Sequence, residues 1–213
     1  MTRLRRLIQR FKGKRVVVFG DLVADVFVFG EISRISREAP VLILSHRETQ
    51  LVPGGGANAI NNIAALGGEP VPVGVVGDDA EGHELTRYFS SLGIDTSGIL
   101  TAKSYRTPTK MRILAGSIHA HRQQVVRIDA GGPLKDRKTM AAIEQNLRDA
   151  VSRTDAILVS DYGYGLVTSP TVVKTRPRGI PTTVDSRFSL KKFWGLAATT
   201  PNEPEVEAAL GIT

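Results

Sequence analysis

PGGGANAINNIAALGGEPVPVGVVG, residues 53–77, carries the pattern that decides the fold. Pro53 and three glycines break the chain. An Ala/Ile/Asn-rich segment then reads as a helix from about 57 to 66, which Gly67 and Gly68 close. Val71 to Val76 follows as an apolar, β-branched strand. Working outward, Lys14 to Gly20 (KRVVVFG) is a buried strand ended by glycine. Glu81 to Leu92 is a helix closed by Gly93. Asp136 to Val151 is a helix with Met140, Ile143, Leu147 and Val151 at helical spacing. Ala156 to Ser160 and Thr182 to Val184 are strands, Thr199 to Asn202 ends a last one, and Glu203 to Leu210 begins a helix. Prolines at 170, 177 and 181 predict a poor helix where one is wanted, over Ser169 to Pro181. Alternating strands and helices predict an α/β fold, a doubly wound, mostly parallel sheet with helices on both faces. Ligands in such sheets bind at the carboxyl ends of the strands. Val26 to Gly30, Val41 to His46, and a hairpin of Thr109 to Leu114 with Gln124 to Asp129 do not alternate with helices. They predict a small β lid over that end, formed by segments of about 23–48 and 104–130.

Composition narrows the classes. Apolar residues make up 41% of 213, enough to fill a core, and cysteine is absent, so disulfides and thiolate metal sites are excluded. No apolar run approaches the ~20 residues of a membrane span, and a cytoplasmic protein is expected. The net charge of +7 is confined to the N-terminus. Residues 1–15 hold seven basic side chains and no acid, whereas the remaining 21 basic residues balance 21 acidic ones. Leu4, Leu7, Ile8 and Phe11 share one helical face in that segment. A basic amphipathic helix can lie on a membrane or a nucleic acid. With no aromatic-rich basic patch beyond it, the expectation is an edge helix packed on the domain, with neither partner.

Five segments can carry chemistry. Asp21 and Asp25, after the first strand, are acceptors for polyol hydroxyls or turn acids that cap local amides. Gly54, Gly55 and Gly56 let backbone approach a ligand, the next helix points free N–H groups at it, and Asn58 adds an amide. Lys and Ser/Thr do not follow, so this is not a GxxxxGK[ST] phosphate loop. Arg34, Arg37, Lys110, Arg112 and Arg127 fall in the lid segments. They could grip an anionic substrate or be solvated charges on edge strands, and alternation puts Lys110 and Arg112 on one face. Asp161, in SDYGYG, ends a buried strand, where it can line a site or cap a helix. Asn202 and Glu205, in TPNEPE, share a helical first turn, where they can serve a hydrated Mg²⁺ or form a capping box. His46, His83, His119 and His121 lack metal-like spacing.

The order of these motifs resembles the ribokinase (PfkB) carbohydrate kinases along almost the whole chain. SRISREAPV, PGGGANAINN, YRTPTKMRIL and QQVVRIDAG are similar to the D-glycero-β-D-manno-heptose 7-phosphate kinases. The resemblance implies a ribokinase-like fold and transfer of a phosphoryl group from ATP, with Mg²⁺, to the anomeric hydroxyl of heptose 7-phosphate. That is an early step toward the ADP-heptose of lipopolysaccharide. It implies that Asp25, Gly54, Gly55 and Asn58 hold sugar hydroxyls, and that Lys110, Arg127 and Arg34 face substrate from the lid. Asp161 would line the site, Asn202 and Glu205 would stand near nucleotide phosphates, and Glu205 would reach Mg²⁺ indirectly. In such kinases the lid strands often pair into a homodimer. Relatives also carry a later GAGD motif, with the general base and an anion hole, that these 213 residues do not contain. The expectation is therefore a partial kinase domain over 1–213 that lacks its C-terminal part. It would be inactive alone and poorly soluble, with no catalytic base of its own. The alternative is a sugar-phosphate binding protein without catalysis.

Overall fold

The computed structural model describes residues 3–116 and 122–212. In chain order the elements are α1 (Arg3–Gln9), β1 (Arg15–Gly20), β2 (Leu22–Ile35), β3 (Leu42–Gly55), α2 (Gly56–Ala65), β4 (Glu69–Gly77), α3 (Ala80–Ser91), β5 (Ile99–Ala102), β6 (Thr109–Gly116), β7 (Gln123–Ala130), α4 (Arg137–Val151), β8 (Ala156–Asp161), α5 (Ser169–Thr175), β9 (Thr182–Ser186), β10 (Ala198–Thr199) and α6 (Glu203–Leu210). Six strands form one sheet in the order β10-β9-β8-β1-β4-β5, every pair parallel. β1 is the hub. The chain runs from it to β4 and β5 on one side, then to β8, β9 and β10 on the other. Strand order reverses there, so a crevice opens beyond the carboxyl end of β1.

Alternation along β1 divides the core between the two faces of the sheet. Val17 and Phe19 join Ile143, Leu147 and Val151 of α4 and Val172 of α5. Val18 joins Ala57 and Ile60 of α2 and Leu85 and Phe89 of α3. Helix starts are set by acids and hydroxyls that accept orphan amides. Asp136 accepts from Lys138 and Thr139, and Asp79 accepts from Gly82 at 2.8 Å. The expected failure of a helix over 169–181 is corrected for its first half. Thr168 caps α5, and Pro170 lies in the first turn, where its missing N–H costs nothing. The helix ends at Arg176, extended (ψ 128°) before Pro177. β5, unannounced in the sequence, is a four-residue edge strand paired with Gly74–Gly77.

The second sheet has the order β3-β2-β6-β7. β2 and β3 are each 14 residues long, far longer than expected. Their outer halves are largely exposed, and apolar residues such as Ile32, Ile35 and Leu42 stand in solvent among charged ones, so no clean apolar alternation marks them. Pro53, Gly54 and Gly55 do not break the chain. They pair with Ala24, Val23 and Leu22, and β3 runs directly into α2. The expectation that α1 packs its apolar face on the domain also fails. Leu4, Leu7, Ile8 and Phe11 are exposed, and only Phe11, beyond the helix, borders a hollow with Ile63 and Leu66. No helix among the described residues is long and apolar enough to cross a membrane.

Candidate functional site

The crevice beyond β1 is built first from backbone. A Cβ on Gly20 would stand 2.4 Å from the Ser160 carbonyl oxygen, so glycine is what allows β1 and β8 to close there. Asp21 follows and is buried. Its Oδ2 accepts from the amides of Tyr162 (2.8 Å) and Tyr164 (3.2 Å), while Oδ1 has no partner among the described residues. Burial pushes its pKa up from 3.8 to about 6, against the pull of those amides and with a smaller push from Asp161. Asp21 is therefore the turn acid of the two readings and holds the loop after β8. A parallel device ties the segment before β6 to the start of α3. Asp79 accepts from the Thr107 amide (2.8 Å) and hydroxyl (2.6 Å). Burial alone would raise the Asp79 pKa, but these hydrogen bonds and that from Gly82 bring it below its usual value.

Asp25 lies where β2 leaves the core. Its Oδ1 is 2.7 Å from Arg112 Nη1, in a pair that is mostly buried on both sides. A Cβ on Gly54 would fall 2.5 Å from Asp25 Oδ2, so the carboxylate rests against bare backbone of β3. Gly55 adopts φ 54°, a left-handed conformation that suits glycine, and passes within van der Waals range of Tyr162. Gly56 N–H donates to the Asp21 carbonyl at 2.9 Å and starts α2. Asn58 is exposed one turn into α2, without a hydrogen-bond partner among the described residues.

Register places Asp25, Lys110, Arg112, Arg127 and Asp129 on one face of the second sheet. Lys110 Nζ is 5.3 Å from the centre of the Tyr162 ring. Burial holds the Lys110 pKa below the usual lysine value, partly offset by Asp25, and Lys110 has no ion-pair partner among the described residues. Arg112 stacks on Phe27 as well as pairing with Asp25. Arg127 is exposed and bidentate to Asp129, with both bonds at 2.8 Å. Arg34 and Arg37 do not join them. Arg34 is nine residues beyond Asp25, about 30 Å along a strand, too far for one sugar phosphate to touch both. Of the expected basic set, Lys110 stands freely at the root, Arg127 is neutralised, and Arg34 is at the far tip.

Across the crevice, Asp161, Tyr162, Asp185, Asn202 and Glu205 border a hollow of about 300 Å³. Asp161 is buried and satisfied. It accepts from Ser186 Oγ (2.7 Å) and the Gly163 amide (3.0 Å). Asn202 and Glu205 form a complete capping box, with Glu205 N–H donating to Asn202 Oδ1 at 2.9 Å and Asn202 N–H to Glu205 Oε2 at 3.0 Å. The cap and the cavity wall are the same two side chains. Asp185 was not singled out in the sequence. It lies near the end of β9 as Asp161 ends β8, and that position was the available signal. Burial, then the nearby Glu205, raises its pKa. No group of three acidic or histidine side chains among the described residues converges on a metal position. His46 bonds Thr49 and His83 pairs with Asp78, both exposed, while His119 and His121 lie outside the described residues.

The arrangement offers hydrogen-bond acceptors and a cation at the root of one sheet, facing an acidic hollow at the end of another. The chain as a whole is similar to known proteins. The signature of the pfkB family carbohydrate kinases matches residues 14–161. The bifunctional protein HldE of Gluconobacter oxydans is 36% identical over 214 residues, 97% of this chain and 43% of that protein. HldE of Geobacter sulfurreducens is 39% identical over 207 residues, 92% of this chain and 40% of that protein. The tetrameric inhibited form of phosphofructokinase-2 from Escherichia coli superposes with a TM-score of 0.69 at 17% identity, covering 93% of this chain and 64% of that one. A putative ribokinase from Agrobacterium tumefaciens gives 0.61 at 21%, covering 94% and 63%. The chain thus spans about two fifths of these HldE proteins and just under two thirds of the solved chains.

Proposed function

The chain belongs to the pfkB family of carbohydrate kinases, and from that premise we propose that its crevice is the acceptor side of a kinase acting on D-glycero-β-D-manno-heptose 7-phosphate at the anomeric hydroxyl, yielding the 1,7-bisphosphate. One observation carries the reading. Asp25, seated against Gly54 and paired with Arg112, is a carboxylate fixed at the root of the second sheet, with Lys110 opposite it in the register. A carboxylate accepts from two polyol hydroxyls, and a half-buried ammonium takes a phosphate or its charge. Asn58, exposed on the first turn of α2, supplies the amide. The choice of heptose rests on SRISREAPV and the other phrases shared with that group. The second sheet then acts as a lid, and a role for Arg34 requires a second copy of the chain. Ile35, Val126 and Ile128 leave apolar surface exposed on that sheet, which fits a homodimer through the lids.

The donor is ATP, which places the reaction in the cytoplasm. Asp185, Asn202 and Glu205 fit a hydrated Mg²⁺ held through water and phosphate oxygens, because they border the hollow with an amide and two carboxylates, while the third acid there, Asp161, is taken up by Ser186 and Gly163, and no group of three acids among the described residues converges on a metal position. The ion supplies charge neutralisation for the phosphates. In binding measurements, the chain takes heptose 7-phosphate saturably and Asp25→Ala weakens it at least tenfold, while unphosphorylated heptose binds less well and Lys110→Gln removes that difference. Absence of saturable binding by a folded chain refutes the assignment. ADP release with ATP and Mg²⁺ separates a kinase from a sugar-phosphate binding protein.

A further inference from the structure

α1 leaves its apolar face bare. Leu4, Leu7 and Ile8 are 71%, 49% and 47% exposed, and no residue of the helix is buried. The helical turn carries on past Gln9, with Arg10 N–H donating to the Leu7 carbonyl and Phe11 N–H to the Ile8 carbonyl, both at 3.0 Å. At about 3.6 residues per turn, Leu4, Leu7, Ile8 and Phe11 fall within an arc of about 100°. Arg3 and Arg5 flank that arc, and Arg6 and Arg10 stand behind it. The apolar strip runs on through Phe11 to a hollow of about 210 Å³ that Val16, Ile63 and Leu66 also border. The far end of the segment is pinned to the domain. Gly13 N–H donates to the Gly67 carbonyl at 3.0 Å, Glu69 N–H donates to the Lys14 carbonyl at 2.8 Å, and Lys14 Nζ pairs with Asp155 at 2.8 Å. Arg3, Arg6, Arg10 and Lys12 form no ion pair among the described residues.

Exposed cations are ordinarily just solvated, and a bare apolar face alone does not name its occupant. The two together on one short element narrow the choice. Pairing of two copies through this face would bring the cationic flanks of both together. A nucleic acid would take the cations and leave the apolar strip unused. An anionic lipid surface takes both, because the apolar side chains enter the boundary between headgroups and acyl chains, the arginine stems lie along it, and the guanidiniums meet lipid phosphates. Arg6 and Arg10, on the back of a helix about 10 Å across, stay within the Debye length of that surface. We propose that α1 and Phe11 form a docking surface for an anionic phospholipid membrane, which holds the chain reversibly on the surface without spanning it. α1 precedes the amino end of β1, whereas the crevice lies beyond its carboxyl end, so docking through α1 does not cover the crevice. The proposal does not depend on the heptose assignment.

The test is flotation of the 213-residue chain with vesicles of phosphatidylcholine and phosphatidylglycerol in equal parts, beside vesicles of phosphatidylcholine alone. The chain partitions to the anionic vesicles and not to the neutral ones, and added salt releases it. Arg3→Gln with Arg6→Gln and Arg10→Gln weakens partitioning at least tenfold, since each cation near such a surface contributes about fivefold. Leu7→Gln with Ile8→Gln weakens it by about tenfold as well. All five side chains are exposed, so a melt that matches wild type verifies that the variants fold. The chain has no cysteine, so an environment-sensitive dye on Leu4→Cys reports entry into the lipid directly, as a blue shift on anionic vesicles. A folded chain that does not partition overturns the proposal. Partitioning that ignores Leu7→Gln with Ile8→Gln and leaves the dye in water is adsorption by charge alone and overturns it too. Tighter binding to a DNA duplex than to the vesicles assigns the cations to nucleic acid instead. A change in sedimentation of the lipid-free chain on Leu7→Gln with Ile8→Gln assigns the face to a second copy. Either result replaces the lipid assignment.

Discussion

Replacing Asp21 by asparagine isolates one buried carboxylate and gives a pH dependence of defined sign. The Asp21 pKa stands at about 6 in the fold against an ordinary 3.8, with burial as the main cause. The folded state therefore holds this proton more tightly than the unfolded chain does. The stabilisation is complete below pH 3.8 and is lost as pH rises through about 6. The full span is roughly 3 kcal/mol, because about two pKa units separate the states at 1.36 kcal/mol each. Between pH 4.5 and pH 7 the linkage equation leaves about 2 kcal/mol of that change. Urea unfolding followed by far-UV circular dichroism at those two pH values, on wild type and Asp21→Asn, reads it directly. Asn has no carboxyl to titrate, so other groups cancel in the difference. Wild type gains about 2 kcal/mol on the variant as pH falls. The constant offset between the two reflects the weakened bonds to the Tyr162 and Tyr164 amides and does not enter. Parallel curves would refute the argument that burial, and not those amides, controls Asp21.

Gly54→Ala drives a methyl into Asp25 Oδ2, 2.5 Å from its ideal Cβ. The carboxylate has to leave Arg112, so heptose 7-phosphate affinity falls at least tenfold while stability changes by about 1–3 kcal/mol. Titration beside a thermal melt separates the two effects, and unaltered affinity contradicts the seating described here. Ile128→Lys, on the exposed apolar side of the lid, shifts sedimentation from dimer to monomer with little change in the melt. A wild-type chain that is monomeric at micromolar concentration removes the basis for that dimer.

The middle of the large sheet was legible because β1, β4 and β8 are mostly buried and α4 shows a full apolar stripe through Ile143, Leu147 and Val151, whereas the edge strand β5 was not. The second sheet was half legible. Its root carries Val23, Ala24 and Val26, buried and apolar, but from Glu31 outward no side chain is buried and nothing marks the strand period. α5 was misread because proline was weighed without its position in the first turn. In the candidate site, Asp25, Gly54 and Lys110 were singled out from chain order. Their contacts were not, because Asp25 meets Arg112 across 87 residues, a separation that no local pattern encodes. Asp161 was singled out for its place at a strand end and Asn202 for sharing a helical first turn with Glu205, yet both also satisfy local hydrogen bonds. Arg34 was grouped with Lys110 by residue type, and only strand length separates them.

The length of β2 has a mechanical side. Its first residues are set in the core, and its last stand about 30 Å farther out than Asp25, exposed, where β3 turns back toward α2. It is a cantilever with its fulcrum at Asp25 and Gly54. A rotation of about ten degrees there sweeps the tip by roughly 5 Å and displaces Lys110 by a fraction of that. Ligand contacts near the pivot are thus almost independent of the angle of the arm. Whatever grips the tip works at long leverage, and can set that angle without disturbing the root.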